Sequence, residues 1–232
     1  MRQTLAARLR PDGADILEAP GKIARSVLQR SGYLEAFPNQ VIASASRGGY
    51  LTPAACLHLY PRLKGRRLGG DPVFHMVAAR CGRQEGGRWQ FPFRLSSFQM
   101  LEVVVLGSPA TVARAFTGLE ARLRRVLGRL GVIGAIEPAS DAFFAGGNRA
   151  ARVFQLLNDA KHEYRAEVGK RSVALASINR HGDHFTTRFG IEAGSGGVAH
   201  SACMAIGLER VTAWCLLRWG GDPAGWPKPL RP

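Results

Sequence analysis

Gly194-Ser195-Gly196-Gly197-Val198-Ala199-His200-Ser201-Ala202-Cys203-Met204-Ala205-Ile206-Gly207-Leu208-Glu209-Arg210, continuing to Trp219, joins a glycine turn, an apolar run and an amphipathic helix in one stretch. His200 and Cys203 interrupt the apolar run, and Gly207 marks the change from strand to helix. A buried strand that meets a helix at glycine lets a ligand approach the backbone closely. Glu209 and Arg210 head the helix. A cation there opposes the helix dipole, whose first turn is positive, so an anion, either a carboxylate or a bound phosphate, is expected beside Arg210. A surface arginine in a basic protein is the other reading that the spacing allows.

Upstream, residues 73–80 alternate with the period of a strand. Cys81-Gly82-Arg83-Gln84-Glu85 follows, then a loop over 86–93, then Arg94-Leu95-Ser96-Ser97-Phe98-Gln99-Met100-Leu101-Glu102 and a β-branched continuation over 103–106. This pattern predicts a long antiparallel hairpin with polar residues turned inward. Charged residues in apolar strands are costly unless paired or ligand-bound, so salt bridges or a ligand must account for them. Ser108-Pro109 is a helix start, with serine as N-cap and proline in the first helical position. Val112, Ala115, Phe116, Leu119, Leu123, Leu127 and Leu130 mark that helix's apolar face, which ends near Gly131, and its other face is rich in arginine. Further helices are expected within residues 1–30, broken at Pro11-Asp12-Gly13, and over 149–168; further strands are expected near residues 41, 175 and 190. Cys56, in Leu51-Thr52-Pro53-Ala54-Ala55-Cys56, sits among small residues, which suits either tight packing or metal ligation.

Gly207-Leu208-Glu209-Arg210 resembles the third signature motif of class II aminoacyl-tRNA synthetases, whose arginine holds ATP phosphates. Arg83-x-Glu85, a loop, then Arg94-x-x-x-Phe98 resembles the second motif, and Gly32-Tyr33 to Phe37-Pro38 resembles the first, a dimer interface in that superfamily. The string from Ala199 to Cys203, the Thr52-to-Cys56 string, Lys161-x-Glu163 and Ser177-x-Asn179 followed by His181 and His184-Phe185 are similar to a narrower branch. That branch is the amino acid:carrier protein ligases, relatives of atypical seryl-tRNA synthetases. The resemblance covers most of the chain.

The resemblance implies an α+β fold, a class II synthetase-like antiparallel sheet flanked by helices, in a single catalytic domain over 1–232 with a helical extension at 1–30. It implies that Arg83 grips the amino acid carboxylate or the α-phosphate, that Glu85 orients the adenine amino group and that Phe98 stacks on the adenine. Arg94 and Arg210 would serve the phosphates with magnesium, and Lys161 and Ser177 would lie by the nucleotide or substrate. Cys56, Glu102 and Cys203 would hold zinc and leave one position for the amino group of a small α-amino acid. The chemistry implied is ATP-dependent formation of an aminoacyl-adenylate and transfer to the phosphopantetheine thiol of an acidic carrier protein, by a homodimer. Transfer to tRNA or to a small-molecule amine is the first alternative, and a non-catalytic binding protein on the same fold is the second. Three departures stand out: Gln84 where relatives tend to have histidine, an apolar loop over 86–93, and no second arginine after Phe98.

Composition sets the outer bounds. With 232 residues the chain can bury one sizeable core. Its 32 Lys and Arg against 17 Asp and Glu give a net charge of +15, a field that attracts nucleic acid, anionic membrane or an acidic protein alike. Four cysteines without a Cys-x-x-Cys pair exclude a disulfide framework or zinc finger. There is no apolar run of membrane-spanning length and no signal-peptide core, so a cytoplasmic location without membrane attachment is expected.

Overall fold

The computed structural model describes residues 1–45, 49–84, 92–139, 161–169 and 171–231. In chain order the elements are α1 (Arg2–Leu9), β1 (Asp15–Ala19), β2 (Lys22–Ala24), α2 (Arg25–Arg30), α3 (Tyr33–Ala36), β3 (Gly49–Leu51), a 3-10 turn (Ala55–His58), α4 (Leu59–Arg62), β4 (Val73–Gly82) and β5 (Ser97–Gly107). Then follow α5 (Pro109–Arg129), β6 (Gly134–Pro138), β7 (Lys161–Val168), β8 (Arg171–Gly182), α6 (His184–Phe189), β9 (His200–Gly207) and α7 (Leu208–Trp219).

Among the described residues, seven strands form one sheet in the order β1-β4-β5-β9-β8-β7-β6. Every pairing is antiparallel except β1 with β4. The expected hairpin is present: Val73 pairs with Leu106 and the register holds to Gly82 opposite Ser97. Alternation along the strands then fills two layers. On one face Leu101, Val103 and Val105 of β5 and Met204 and Ile206 of β9 join Phe116, Leu123 and Leu127 of α5 and Val211 and Trp214 of α7. On the other, Val104, Leu106 and Cys203 join Val77 and Ala79 of β4, Cys56 and Tyr60 of the turn and α4, and Phe189 of α6. The architecture is the α+β sheet with flanking helices that the resemblance implied.

Local signals explain where the helices begin. Ser108 Oγ accepts from the Thr111 N–H at 3.2 Å with Pro109 in the first turn of α5, which satisfies a backbone donor the helix cannot pair itself. Gly207 is the N-cap of α7 in extended conformation. No described helix is long and apolar enough to cross a membrane.

Three expectations change. Residues 161–168 are strand β7, not the end of a helix. Charged Lys161, Glu163, Arg165 and Glu167 alternate there with His162, Tyr164, Ala166 and Val168, a period of two that outweighs the helical spacing of Val153, Leu156, Leu157 and Ala160 in the sequence just before; residues 149–160 of the expected helix lie outside the described ones. Residues 1–30 are not all helical, because residues 15–19 form β1, a short edge strand held by parallel pairing to β4. Near residues 41 and 190 only single bridges form, Ala43 with Tyr50 and Glu192 with Arg67 and Val198.

The glycine turn that opens the decisive stretch is fixed by crowding. A Cβ on Gly194 would lie 2.5 Å from the carbonyl carbon and oxygen of Gly69 and 2.7 Å from the Leu68 oxygen, all backbone atoms that cannot swing away. Gly194→Ala is therefore expected to destabilise the protein by about 1–3 kcal/mol, the usual cost of overpacking. Urea unfolding measures it, and an unchanged midpoint would show that the close approach does not exist.

Candidate functional site

The strand register places the expected site residues in rows on the sheet face that carries Cys203. One row runs His75, Val104, Cys203, Asn179, Lys161; the next runs Val77, Glu102, Ala205, Ser177, Glu163. A third places Ala79, Met100 and Gly207 side by side. Ala79, Ala205 and Gly207 are the smallest members, and they lie between polar groups contributed by β5 and by β8 and β7. Tertiary pairing alone creates this arrangement, since each row crosses strands that are distant in the chain.

Cys56 comes down onto this face from the turn. Cys56, Glu102 and Cys203 are 5%, 1% and 2% exposed, and Cys56 hydrogen-bonds both Cys203 and Glu102. The Ala55 N–H donates to Glu102 Oε1 at 2.7 Å. The hydrogen bond with Cys203, then burial, raises the Cys56 thiol well above its ordinary value. The same hydrogen bond lowers Cys203, helped by His181 and Asn179. Burial, with the Cys203 charge adding to it, pushes Glu102 up to about 7 against the hydrogen bonds from Cys56 and Ala55.

The expected zinc donors are therefore brought together as a hydrogen-bonded trio. Among the described residues, no set of three or more His, Cys, Asp or Glu side chains is already spaced as a metal cage. The donor chemistry nevertheless fits zinc: two sulfurs and a carboxylate in a dry site, with sulfur favoured by a borderline-soft ion. Cys81 and Cys215 are both buried and both pushed up to about 12, chiefly by burial, with the Glu102 charge adding to it at Cys81. They are packing thiols.

The expected nucleotide residues fall at the far end of the hairpin. The Arg83 guanidinium lies over the Phe98 ring, 4.7 Å from its centroid, a cation–π contact. Glu85 lies outside the described residues, as do residues 86–91 of the loop. Arg210 donates from Nε to the Phe93 carbonyl at 2.8 Å and from Nη1 to the Ala174 carbonyl at 3.0 Å, next to Arg94 in sequence. Backbone oxygens therefore supply part of the negative potential that the helix start was expected to need. Glu209 accepts from the Gln99 N–H through both oxygens, at 2.9 and 2.8 Å, which ties the head of α7 to β5. Lys161 is 3.7 Å from Glu163, whose other oxygen meets Arg165 at 2.7 Å. Asn179 Nδ2 bridges toward Ser177 Oγ at 3.4 Å and Cys203 Sγ at 3.5 Å.

Sequence reasoning missed Ser201 and the Glu163–Arg165 pair. Spacing held a usable signal for the first, because Ser201 and Cys203 are two apart on one strand and must share a face. The same spacing marks the second, since Glu163 and Arg165 are also two apart on one strand.

No family model matches the chain. Amino acid–acyl-carrier-protein ligase 2 of Bradyrhizobium diazoefficiens is 33% identical, over 97% of this chain and 76% of the relative. The chain belongs to the amino acid–acyl-carrier-protein ligase family. Ligase 1 of the same organism is 31% identical over 96% of the chain and 77% of its own length. The type-2 serine–tRNA ligase of Methanopyrus kandleri is 26% identical over 79% of the chain but only 37% of that protein. Among solved structures, M. kandleri seryl-tRNA synthetase in complex with tRNASec superposes with a TM-score of 0.80 at 21% identity, over 98% of this chain and 52% of that one. The Pyrococcus horikoshii enzyme complexed with ATP gives 0.77 at 16% identity, over 97% and 52%. This family member thus has the class II synthetase fold and spans about half the length of those solved chains.

His75 opens the row that contains Cys203 and provides a pH probe. It is 8% exposed, its Nε2 has no hydrogen-bond partner among the described residues, and its Nδ1 is 3.7 Å from the Asp15 carboxylate. Burial lowers its pKa below 6.5 more than Asp15 raises it. The unfolded chain therefore takes up this proton first, so the folded state is fully competitive above about pH 6.5 and loses stability as pH falls below that. The stability of the protein relative to a His75→Leu variant should decline on acidification from about pH 7 to about pH 5. Urea unfolding across that range tests it, and a pH-independent difference would refute it.

Proposed function

We propose that this chain activates a small α-amino acid with ATP and passes the aminoacyl group to the phosphopantetheine thiol of an acidic carrier protein. The observation that carries the reading is the buried Cys56–Glu102–Cys203 trio, in a chain that belongs to a carrier-protein ligase family. The solved P. horikoshii relative in complex with ATP supports ATP as co-substrate. The proposal also takes the chain as one catalytic domain, working as a cytoplasmic homodimer through the segment at 32–38.

In this reading Cys56, Glu102 and Cys203 hold zinc. When bound, zinc supplies a Lewis acid with one open position for the uncharged amino group of the substrate. The residues' own work is positional. Ala55 fixes the Glu102 carboxylate, and Ala205 and Gly207 would leave room for a substrate with a small side chain. Arg83 would neutralise the amino acid carboxylate or α-phosphate, with Phe98 as the adenine platform beneath it. Arg94 and Arg210 would take phosphate charge on the magnesium-bound triphosphate, and Glu85 the adenine amino group. Lys161 and Ser177 line the side formed by β7 and β8.

The substrate carboxylate oxygen then bonds to the α-phosphorus as the bond to the β-phosphate bridge breaks, releasing pyrophosphate. In the second step the carrier thiol loses its proton, its sulfur bonds to the acyl carbon, and AMP leaves. Both steps spread charge over phosphate and carbonyl oxygens, where fixed guanidinium donors are most effective.

The serine–tRNA ligase relatives and the +15 charge favour tRNA as the second reading for the acceptor. Supplying a carrier protein and total tRNA in parallel separates the two, and labelled aminoacyl group on the carrier alone is expected.

Amino-acid-dependent exchange of labelled pyrophosphate into ATP should be measurable, and Arg83→Ala or Arg210→Ala should each reduce it by about 100-fold or more. If no natural amino acid supports exchange by zinc-loaded protein, the enzymatic reading fails. Cys203→Ser should remove bound zinc and exchange activity together, by elemental analysis and the same assay. Retention of both would remove the metal assignment.

A further inference from the structure

The outer side of α5 is left unused by the reading above. The helix carries Arg114, Arg122, Arg124, Arg125 and Arg129 against one acid, Glu120. Arg114, Gly118, Arg122, Arg125 and Arg129 recur at i, i+4, i+8, i+11 and i+15, the spacing of one helix side. Four guanidinium groups are thereby strung along about 22 Å of the helix. Val112, Phe116, Leu119, Leu123 and Leu127 are buried on the opposite side. Among the described residues, no carboxylate pairs with Arg114, Arg125 or Arg129.

Gly118 opens a gap in this row. A Cβ on it would meet nothing within 4 Å, so the chain's own packing does not require glycine, which is unfavourable inside a helix. The gap belongs to a cleft of about 460 Å³, room for a side chain or a small ligand. Pro11, Pro72, Phe74 and Leu119 wall it, Arg114 and Arg122 flank it, and Asp12 is its one carboxylate. Arg122 is held in place by donation from Nη1 to the Arg10 carbonyl at 2.8 Å, which leaves most of its donors for a partner.

These features discriminate among the partners that a basic surface attracts. A nucleic acid backbone would use the arginines, but it has no apolar group to set against Phe74 and Leu119, and α5 exposes no aromatic ring for base stacking. A membrane surface needs apolar side chains to insert, whereas the residues between the arginines are Gly118, Ala121 and Gly128. A second copy would bring the same positive row, in a chain of net charge +15. An acidic helix meets every requirement. Its carboxylates accept paired N–H donors from guanidinium forks, the Gly118 gap lets two helices approach closely, and one apolar side chain fills the cleft.

We propose that the outer side of α5 is a docking surface for an acidic amphipathic helix of another protein. Its apolar anchor enters the cleft at Gly118, and its carboxylates meet Arg114, Arg122, Arg125 and Arg129. Helix α5 packs on the sheet face opposite the Cys56–Glu102–Cys203 trio. A helix and the sheet stand between this surface and the trio, so the occupant is a partner other than the aminoacyl acceptor.

The test uses the full-length protein and a fluorescein-labelled helical peptide of about 18 residues, long enough to span the row, with glutamates along one side and a single leucine among them. Fluorescence anisotropy in about 0.15 M salt measures its binding. The parent protein should bind this peptide, bind it about 10-fold more weakly when alanine replaces the leucine, and not bind a version with lysine for glutamate. Arg114→Glu with Arg122→Glu should weaken binding about 10-fold or more. Gly118→Leu keeps every charge and fills the gap, and should weaken it by a similar factor. Far-UV circular dichroism confirms folding; if the double reversal fails to fold, Arg125→Glu and Gly118→Leu decide the matter. No binding by the parent, or undiminished binding by the folded charge-reversed variant, would overturn the proposal. Tighter binding to an RNA duplex or to phosphatidylglycerol vesicles, or self-association, lost with the same arginines and indifferent to Gly118→Leu, would overturn it in favour of that occupant.

Discussion

Glu102 places a carboxylate at 1% exposure in the middle of β5, and the neighbouring structure is arranged to tolerate it. Moving an ionised carboxylate from water into a protein interior costs several kcal/mol unless hydrogen bonds or a cation compensate. The Ala55 N–H and the Cys56 thiol provide the hydrogen bonds, so the turn that carries them must lie directly over the sheet. That turn and α4, which follows at once, bring Tyr60, and Tyr60 draws in His181 and Ser201. One costly group thereby organises the whole layer on that face. The opposite layer, built by α5 and α7 on β5 and β9, is mainly apolar packing, with the Arg180 guanidinium over the Phe116 ring and the Trp214 indole N–H on the Glu167 carbonyl.

Much of this was legible in the chain where local and global demands agree. The β4–β5 hairpin alternates cleanly, α5 begins with a serine cap and proline, and the β9–α7 junction is marked by glycine. Those elements form where the residues place them. Strand β7 was misread because a helical apolar stripe precedes it, although its own residues alternate in charge. Strand β1 was missed because five residues at a sheet edge carry too short a pattern to stand out, and their pairing with β4 is a tertiary event.

The site divides along the same line. Arg210 sits at a position that its charge marks as unusual, at the head of a helix, whereas Phe98, beside the hairpin loop, was singled out by the resemblance. The donor trio comes from three distant parts of the chain, and no periodicity brings Cys56, Glu102 and Cys203 together. Resemblance supplied that grouping, and the strand register with the turn above it supplies the physical means. The Tyr60–His181–Ser201 cluster had neither help, since it exists only once α4, β8 and β9 have met.

The position of β9 bears on how such a molecule is made. It is the last strand in the chain, yet it lies between β5 and β8, at the centre of the sheet. Without β9, β5 and β8 would present facing edges with bare backbone donors and acceptors, the kind of edge that recruits foreign strands. Insertion of this one segment seals both edges and delivers Cys203 to its partners at the same moment.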